Sequence, residues 1–278
     1  PAWCANTPSR HPPDSAVART SRTGAAPTRT AAIAAPATDG GTALTKALIT
    51  WGGWDGHEPD KVAAIFADIL TGAGIATTIT DSLDCFDDPD IGRYALIGPV
   101  WTMATINRDA ATNVSEAVAR GTGRAGCHGG MCDAFRDMPV WQFMTGANWV
   151  AHPGGDGVKH RVTITSDDPL VAGIPDFDVE TEQYYLHTDP ANRVLATTRT
   201  DVVTWYHSPN GPVDMPVAWT RHWGLGRVYY NALGHQADVI AHGPAHEMLR
   251  RGLLWAADGK SDADGRSIAD YQSAGNHW

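Results

Sequence analysis

The order of apolar and polar positions divides the chain into an irregular beginning, an α/β middle and a β-rich later part. Lys46–Trp51 is a short apolar run closed by Gly52 and Gly53, which reads as a buried strand ending in a loop. After it, Val62, Ile65, Phe66, Ile69 and Leu70 recur at i, i+3, i+4, i+7 and i+8, one face of a helix over Pro59–Ala73. Glu58 and Pro59 suit its first turn, and Gly72 and Gly74 its end. Ile75–Thr80 is rich in β-branched residues and Tyr94–Val100 is almost wholly apolar, so both predict strands. Arg108–Arg120 predicts a second helix, with Ala111, Val114 and Val118 on one face, and Gly123–Cys127 leads into a glycine-flanked turn. Strands alternating with helices predict βαβ units and a mostly parallel sheet.

From Val158 the period changes to two. Val158–Thr165 alternates, Val194–Thr198 does so more loosely, and Pro216–Thr220 with Arg227–Ala232 predicts a β pair joined by residues 222–226. A helix over Pro244–Ala256 closes the pattern, apolar at Met248, Leu249, Leu253 and Trp255. Residues 1–44 have no hydrophobic period and are broken by prolines, so they are expected to form a disordered extension. Residues 259–278 are polar and expected to form a flexible tail. The reading is one α/β domain over residues 45–258 with a β-rich extension.

Composition narrows the partners. Acidic residues outnumber basic ones 31 to 21, and a net charge of −10 argues against neutralising a nucleic-acid backbone. No apolar run reaches the roughly 20 residues of a membrane span. Four cysteines do not make a disulfide scaffold, and no apolar leader core is present, so a cytoplasmic location is expected. The 12 histidines and 11 tryptophans direct attention to metal, proton and sugar chemistry.

Five segments then stand out in order: GGWDGHEP (Gly52–Pro59), GCHGGMCDAF (Gly126–Phe135), EQYYLH (Glu182–His187), GRVYYNALGH (Gly226–His235) and RGLLWAAD (Arg251–Asp258). In this order and spacing the chain resembles the ThuA family of trehalose-utilisation proteins over residues 45–258. The resemblance implies a flavodoxin-like fold of the class I glutamine amidotransferase type, a parallel sheet with helices on both faces. It also implies a role in sugar catabolism, on trehalose or related disaccharides oxidised to 3-keto forms. The implied partner is a small-molecule sugar, and a homo-oligomer is an expectation for such folds.

The chemistry is read residue by residue. In amidotransferase-like folds the nucleophile occupies a strained turn of the form G-x-nucleophile-x-G. Gly126 and Gly130 place His128 at its centre, and imidazole there serves as a metal ligand or base. A frame shifted by one centres Cys127 but loses the first glycine, and Cys127 reads more readily as a small buried hydrophobe at the strand end than as a nucleophile. His235 lacks the glutamate two residues on that completes the amidotransferase pattern, so glutaminase activity is not expected.

His57, His128 and His235 each follow a predicted strand, where open α/β sheets bind ligands. Three imidazoles suffice for a zinc-like divalent ion with an open position, and a metal-free acid/base cleft uses the same residues. The expected catalytic set is His128, His57 and Glu182, with Glu182 as the acid. The expected metal set is His57, His128 and His235. Trp54, Trp101, Tyr185 and Trp223 are the expected sugar-binding aromatics, whereas Trp51, Trp205, Trp219 and Trp255 fall inside elements and read as core. Two other functions compete: a non-catalytic carbohydrate-binding protein, and a Cys127-dependent hydrolase.

Overall fold

A computed structural model describes residues 31–33, 45–201 and 206–269. The strands are Ala31–Ile33 (β1), Lys46–Gly53 (β2), Ala76–Thr80 (β3), Leu96–Thr102 (β4), Gly123–Cys127 (β5), Ala147–Ala151 (β6), Val158–Ile164 (β7), Phe177–Thr181 (β8), Tyr185–Thr188 (β9), Arg193–Thr200 (β10), Val213–Trp223 (β11) and Gly226–Asn231 (β12). The helices are Pro59–Gly72 (α1), Arg108–Ala119 (α2), Gly129–Cys132 (α3), Pro139–Thr145 (α4) and Gly243–Asp262 (α5).

Ten strands form one sheet in the order β1-β3-β2-β4-β5-β12-β11-β10-β7-β8. Its five central strands, β3-β2-β4-β5-β12, are parallel and have the flavodoxin-like order. Residues 47–50 of β2 and nearly all of β4 are buried, because helices cover both sheet faces. Gly123 on β5 backs onto Ala256 of α5, while the next residue, Arg124, reaches Trp141 and Thr145 of α4. The two helices therefore lie on opposite faces. Leu48, Ile49, Phe66, Leu70, Trp141, Trp219, Tyr229 and Tyr230 fill the core between sheet and helices.

The β-rich part is an antiparallel continuation of the same sheet through β11, β10, β7 and β8. β7 and β8 alternate between exposed and covered residues, as strands with one wet face do. A separate pair, β6 with β9, sits beside it. β6, β8, β9 and α4 have no counterpart in the sequence reading. Each is short, and the α4 segment shows no repeated helical face.

Within the segment read as an extension, Ala31–Ile33 pairs antiparallel with β3. At the other end α5 continues past Asp258 to Asp262, and Ala263 and Ile268 pack against Leu225. Trp219 is fully buried, Trp51 and Trp255 are half-buried, and Trp205 lies outside the described residues. Among the described residues, no helix is long and apolar enough to cross a membrane.

Candidate metal centre

The chain leaves β2 for β3 on one side and returns to β4 on the other, so the strand order reverses between β2 and β4. Crevices form at the carboxyl ends of strands at such a point. His57 ends a single 3-10 turn between β2 and α1. His128 follows β5 directly, and His235 follows β12. Glu182 enters from the β-rich part, between β8 and β9.

His128 has the backbone of a nucleophile elbow, with φ 48° and ψ −137°, between strand β5 and helix α3. A non-glycine residue holds this region only where its surroundings enforce it. The flanking glycines show the enforcement. A Cβ on Gly126 would stand 2.7 Å from the Met131 sulfur, and one on Gly130 would stand 3.0 Å from the Pro99 carbonyl oxygen. The backbone N–H of His128 donates to Asn231 at 2.7 Å, and the Tyr230 hydroxyl donates to the His128 carbonyl at 3.1 Å. The elbow thus carries an imidazole, aimed outward and locked.

One ligand atom from each of His57, His128, Glu182 and His235 lies within 4.8 Å of the others, and all four residues are buried. Glu182 Oε2 is 3.1 Å from His128 Nε2, 3.2 Å from His235 Nδ1 and 4.0 Å from His57 Nε2. The far ring nitrogens have partners of their own. His128 Nδ1–H donates to the Ala232 carbonyl at 2.8 Å, and His57 Nδ1 lies 2.9 Å from the Thr102 hydroxyl. A neutral imidazole whose Nδ1 carries the proton presents a lone pair at Nε2. In His128 Nε2 meets a carboxylate oxygen at 3.1 Å, a pairing that either a proton on the imidazole or a bound cation satisfies. His235 Nδ1 is buried and faces the same carboxylate oxygen at 3.2 Å.

Burial, with His128 and His235 close by, pushes the His57 imidazole down to about 2, so it stays neutral. Burial likewise lowers His128. For Glu182 burial acts upward but is outweighed by His128 and His235, which hold the carboxyl low and ionised. For His235 burial acts downward and is outweighed by Glu182, leaving it raised. Glu182 is thus ionised in the metal-free cluster, whereas a general acid starts protonated, and an ionised Glu182 beside a neutral His57 is an arrangement that can hold a cation.

The remaining residues divide. Trp54 is 46% exposed at the mouth and stands edge-on to His57, with ring centroids 4.7 Å apart. Trp101 is at the same end of the sheet, but its ring covers Gly52. Trp223 is a correction. It opens the β11–β12 turn opposite Gly226, at the far end of the strand that leads to His235, and it bonds to Ser115. Tyr185 turns to His207, with its hydroxyl 3.0 Å from Nε2. Its neighbour Tyr184 is the tyrosine that stacks on His128, at 3.9 Å between centroids. Cys127 is buried beside Gly234, and burial pushes its thiol up to about 12, which disfavours the thiolate that a nucleophile needs.

Thr102, Tyr184, His152 and Asp156 were absent from the predicted set. His152 Nδ1 lies 3.7 Å from Glu182 Oε1, and Asp156 lies 3.7 Å from His235 Nε2. The HPGGDG turn at residues 152–157 follows the short strand β6, which the hydrophobic pattern did not reveal, so nothing placed that turn at the crevice.

Comparison with known proteins gives the same fold. A putative ThuA-like protein from Bacteroides uniformis superposes with TM-score 0.62 at 17% identity, covering 80% of this chain and 94% of that one. A putative ThuA-like protein from Parabacteroides merdae superposes with TM-score 0.62 at 19% identity, covering 78% and 91%. A β-galactosidase from Bacillus circulans shares the fold over 31% of its own length, with TM-score 0.51, 13% identity and 78% of this chain covered. No curated protein matches the sequence. The sequence profile of the ThuA family, described as trehalose utilisation, matches residues 46–256, and the chain therefore belongs to the ThuA family.

Proposed function

We propose that this chain is a metal-dependent enzyme of sugar catabolism, acting on a disaccharide or its keto-sugar derivative at the centre formed by His57, His128, Glu182 and His235. The observation that carries the reading is the direction of the ring nitrogens. His128 Nε2 and His235 Nδ1 both turn to one oxygen of Glu182, and the Ala232 carbonyl fixes the far nitrogen of His128. Three imidazoles and one carboxylate suit zinc or a similar divalent ion. Such an ion, when bound, polarises a substrate carbonyl or hydroxyl oxygen and acidifies the adjacent C–H.

The protein supplies the setting. Burial keeps His57 and His128 unprotonated, and the ionised Glu182 adds the one negative charge of the set. Trp54 offers a half-exposed ring face beside His57, where the apolar face of a pyranose packs. The sugar class rests on the family's description and on this exposed indole.

The test uses the untagged full chain with trehalose and 3-ketotrehalose in D2O, followed by NMR. The expected result is product, or deuterium exchange beside the ketone, lost with chelator and in His128→Ala. Sugar binding with neither product nor exchange would make it a carbohydrate-binding protein. Turnover abolished by alkylation of Cys127 would restore the thiol hydrolase.

A further inference from the structure

Each ligand of a metal centre needs an outer partner to fix its orientation: an imidazole must have its other N–H accepted, and a carboxylate must have its second oxygen held. His128 has the Ala232 carbonyl and His57 has the Thr102 hydroxyl, both from strands of the parallel core or their ends. Among the described residues, no core group hydrogen-bonds His235 Nε2 or Glu182 Oε1. Both are met instead by the loop between β6 and β7. Asp156 Oδ1 stands 3.7 Å from His235 Nε2, and His152 Nδ1 stands 3.7 Å from Glu182 Oε1.

The loop is built to present these two side chains together. Gly154, Gly155 and Gly157 adopt φ of 96°, 75° and 73°, a region that glycine occupies without steric cost. These turns fold the segment back so that its first and fifth residues face the same cluster. His152 also leans on Trp149, with centroids 5.7 Å apart, and the Arg136 guanidinium caps that indole at 4.6 Å. Arg136 is in turn paired with Asp133 just beyond α3, so the His152 end of the loop rests on a fixed wall. The Asp156 end does not. A Cβ on Gly155 or Gly157 would meet no atom within 4 Å, and the Asp156 side chain is 62% exposed.

His152 Nδ1 is buried and has no hydrogen-bond partner, although the side chain as a whole is 39% exposed. The unpartnered atom is the one that faces Glu182. Both 3.7 Å contacts are longer than a hydrogen bond.

We propose that Asp156 and His152 are positioning residues of the metal centre: Asp156 accepts the Nε2–H of His235 and so directs Nδ1 inward, and His152 holds the outer oxygen of Glu182. The inference rests on the metal-centre reading above. It makes the β-rich part a contributor to the site twice over, through Glu182 itself and through the loop that orients two of the four ligands.

The test titrates Co2+ into the metal-free full chain, following the visible absorption bands of the bound ion and then competing it with Zn2+. The variants are Asp156→Asn, His152→Ala and the conservative pair Asp156→Glu and His152→Gln. Thermal unfolding of each metal-free protein checks that folding is intact. The inference predicts a 10- to 100-fold loss of affinity and an altered band in Asp156→Asn and His152→Ala. It also predicts partial recovery of both in the conservative variants. Wild-type binding with both disruptive variants within twofold of it, and an unchanged spectrum, would overturn the inference while leaving the metal centre standing. Absence of Co2+ and Zn2+ binding to the wild-type chain would remove the metal centre, and this inference with it.

Discussion

Replacing Glu182 with Gln separates a metal centre from a buried ion-pair cluster built of the same residues. Glu182 Oε2 is the atom common to all three imidazoles, at 3.1, 3.2 and 4.0 Å. Gln keeps the shape and removes the charge. At a metal concentration 100-fold above Kd, binding stabilises the folded state by about 2.7 kcal/mol. For a domain of roughly 200 residues this raises Tm by roughly 5–11 °C.

Loss of the anionic ligand is expected to weaken binding about 100-fold or more, at least as much as loss of an outer partner. The same concentration then lies near the variant's Kd, and the stabilisation falls to about 0.4 kcal/mol, roughly 1–2 °C. Without metal the variant should unfold within about 1 kcal/mol of the wild type, because the Gln amide still donates to an imidazole lone pair. The assay is scanning calorimetry of both proteins, metal-free and with Zn2+ or Co2+. A different pattern would refute the reasoning: no metal-dependent rise in the wild type, and a metal-free variant destabilised by the ~3–5 kcal/mol typical of a broken buried pair. The cluster would then be a structural ion pair.

Two further outcomes follow from the same geometry. His235 is raised above its ordinary value, because Glu182 outweighs the downward effect of burial, and bound metal must displace its proton. Metal affinity should therefore be level above that raised value and fall about tenfold per pH unit below it, and Co2+ titrations across pH that stay flat would remove His235 from the ligand set. A Cβ on Gly129 would stand 2.7 Å from Thr102 Oγ1 and 2.8 Å from His57 Cε1, so Gly129→Ala should disturb His57 and weaken metal binding as well as cost about 1–3 kcal/mol. Gly130→Ala, whose nearest neighbours are backbone atoms of Pro99, Val100 and Trp101, should lose stability with much less effect on affinity, as unfolding and Co2+ titration of the pair will show.

The parallel core was legible because its strands are buried on both faces and its helices have one apolar face. Both patterns survive in a single sequence, as Lys46–Trp51 and Val62–Leu70 show. The elbow was legible through Gly126 and Gly130, which the close approach of Met131 and Pro99 makes necessary. The three histidines were legible because strand ends in such folds converge on one crevice, and His57, His128 and His235 do meet there.

What could not be read depends on tertiary placement. Tyr184 and Tyr185 are adjacent and alike, and only the irregular backbone between β8 and β9 decides that Tyr184 stacks on His128. Trp223 has a loop context like that of Trp54, but strand direction puts it at the opposite end of the sheet. His152 and Asp156 follow a strand too short for its period to show, so their turn had no predicted position. The ionisation of Glu182 is a property of the assembled cluster, since burial alone would have pushed it the other way.

The most direct measurement is the metal content of the untagged full chain, purified without chelator, incubated with zinc, manganese, iron or cobalt, desalted and analysed by elemental mass spectrometry. The His57→Ala/His128→Ala double variant is treated in parallel. The metal-centre account predicts close to one ion per wild-type chain and almost none in the variant. Equal content in the two proteins, or none in either, would contradict it.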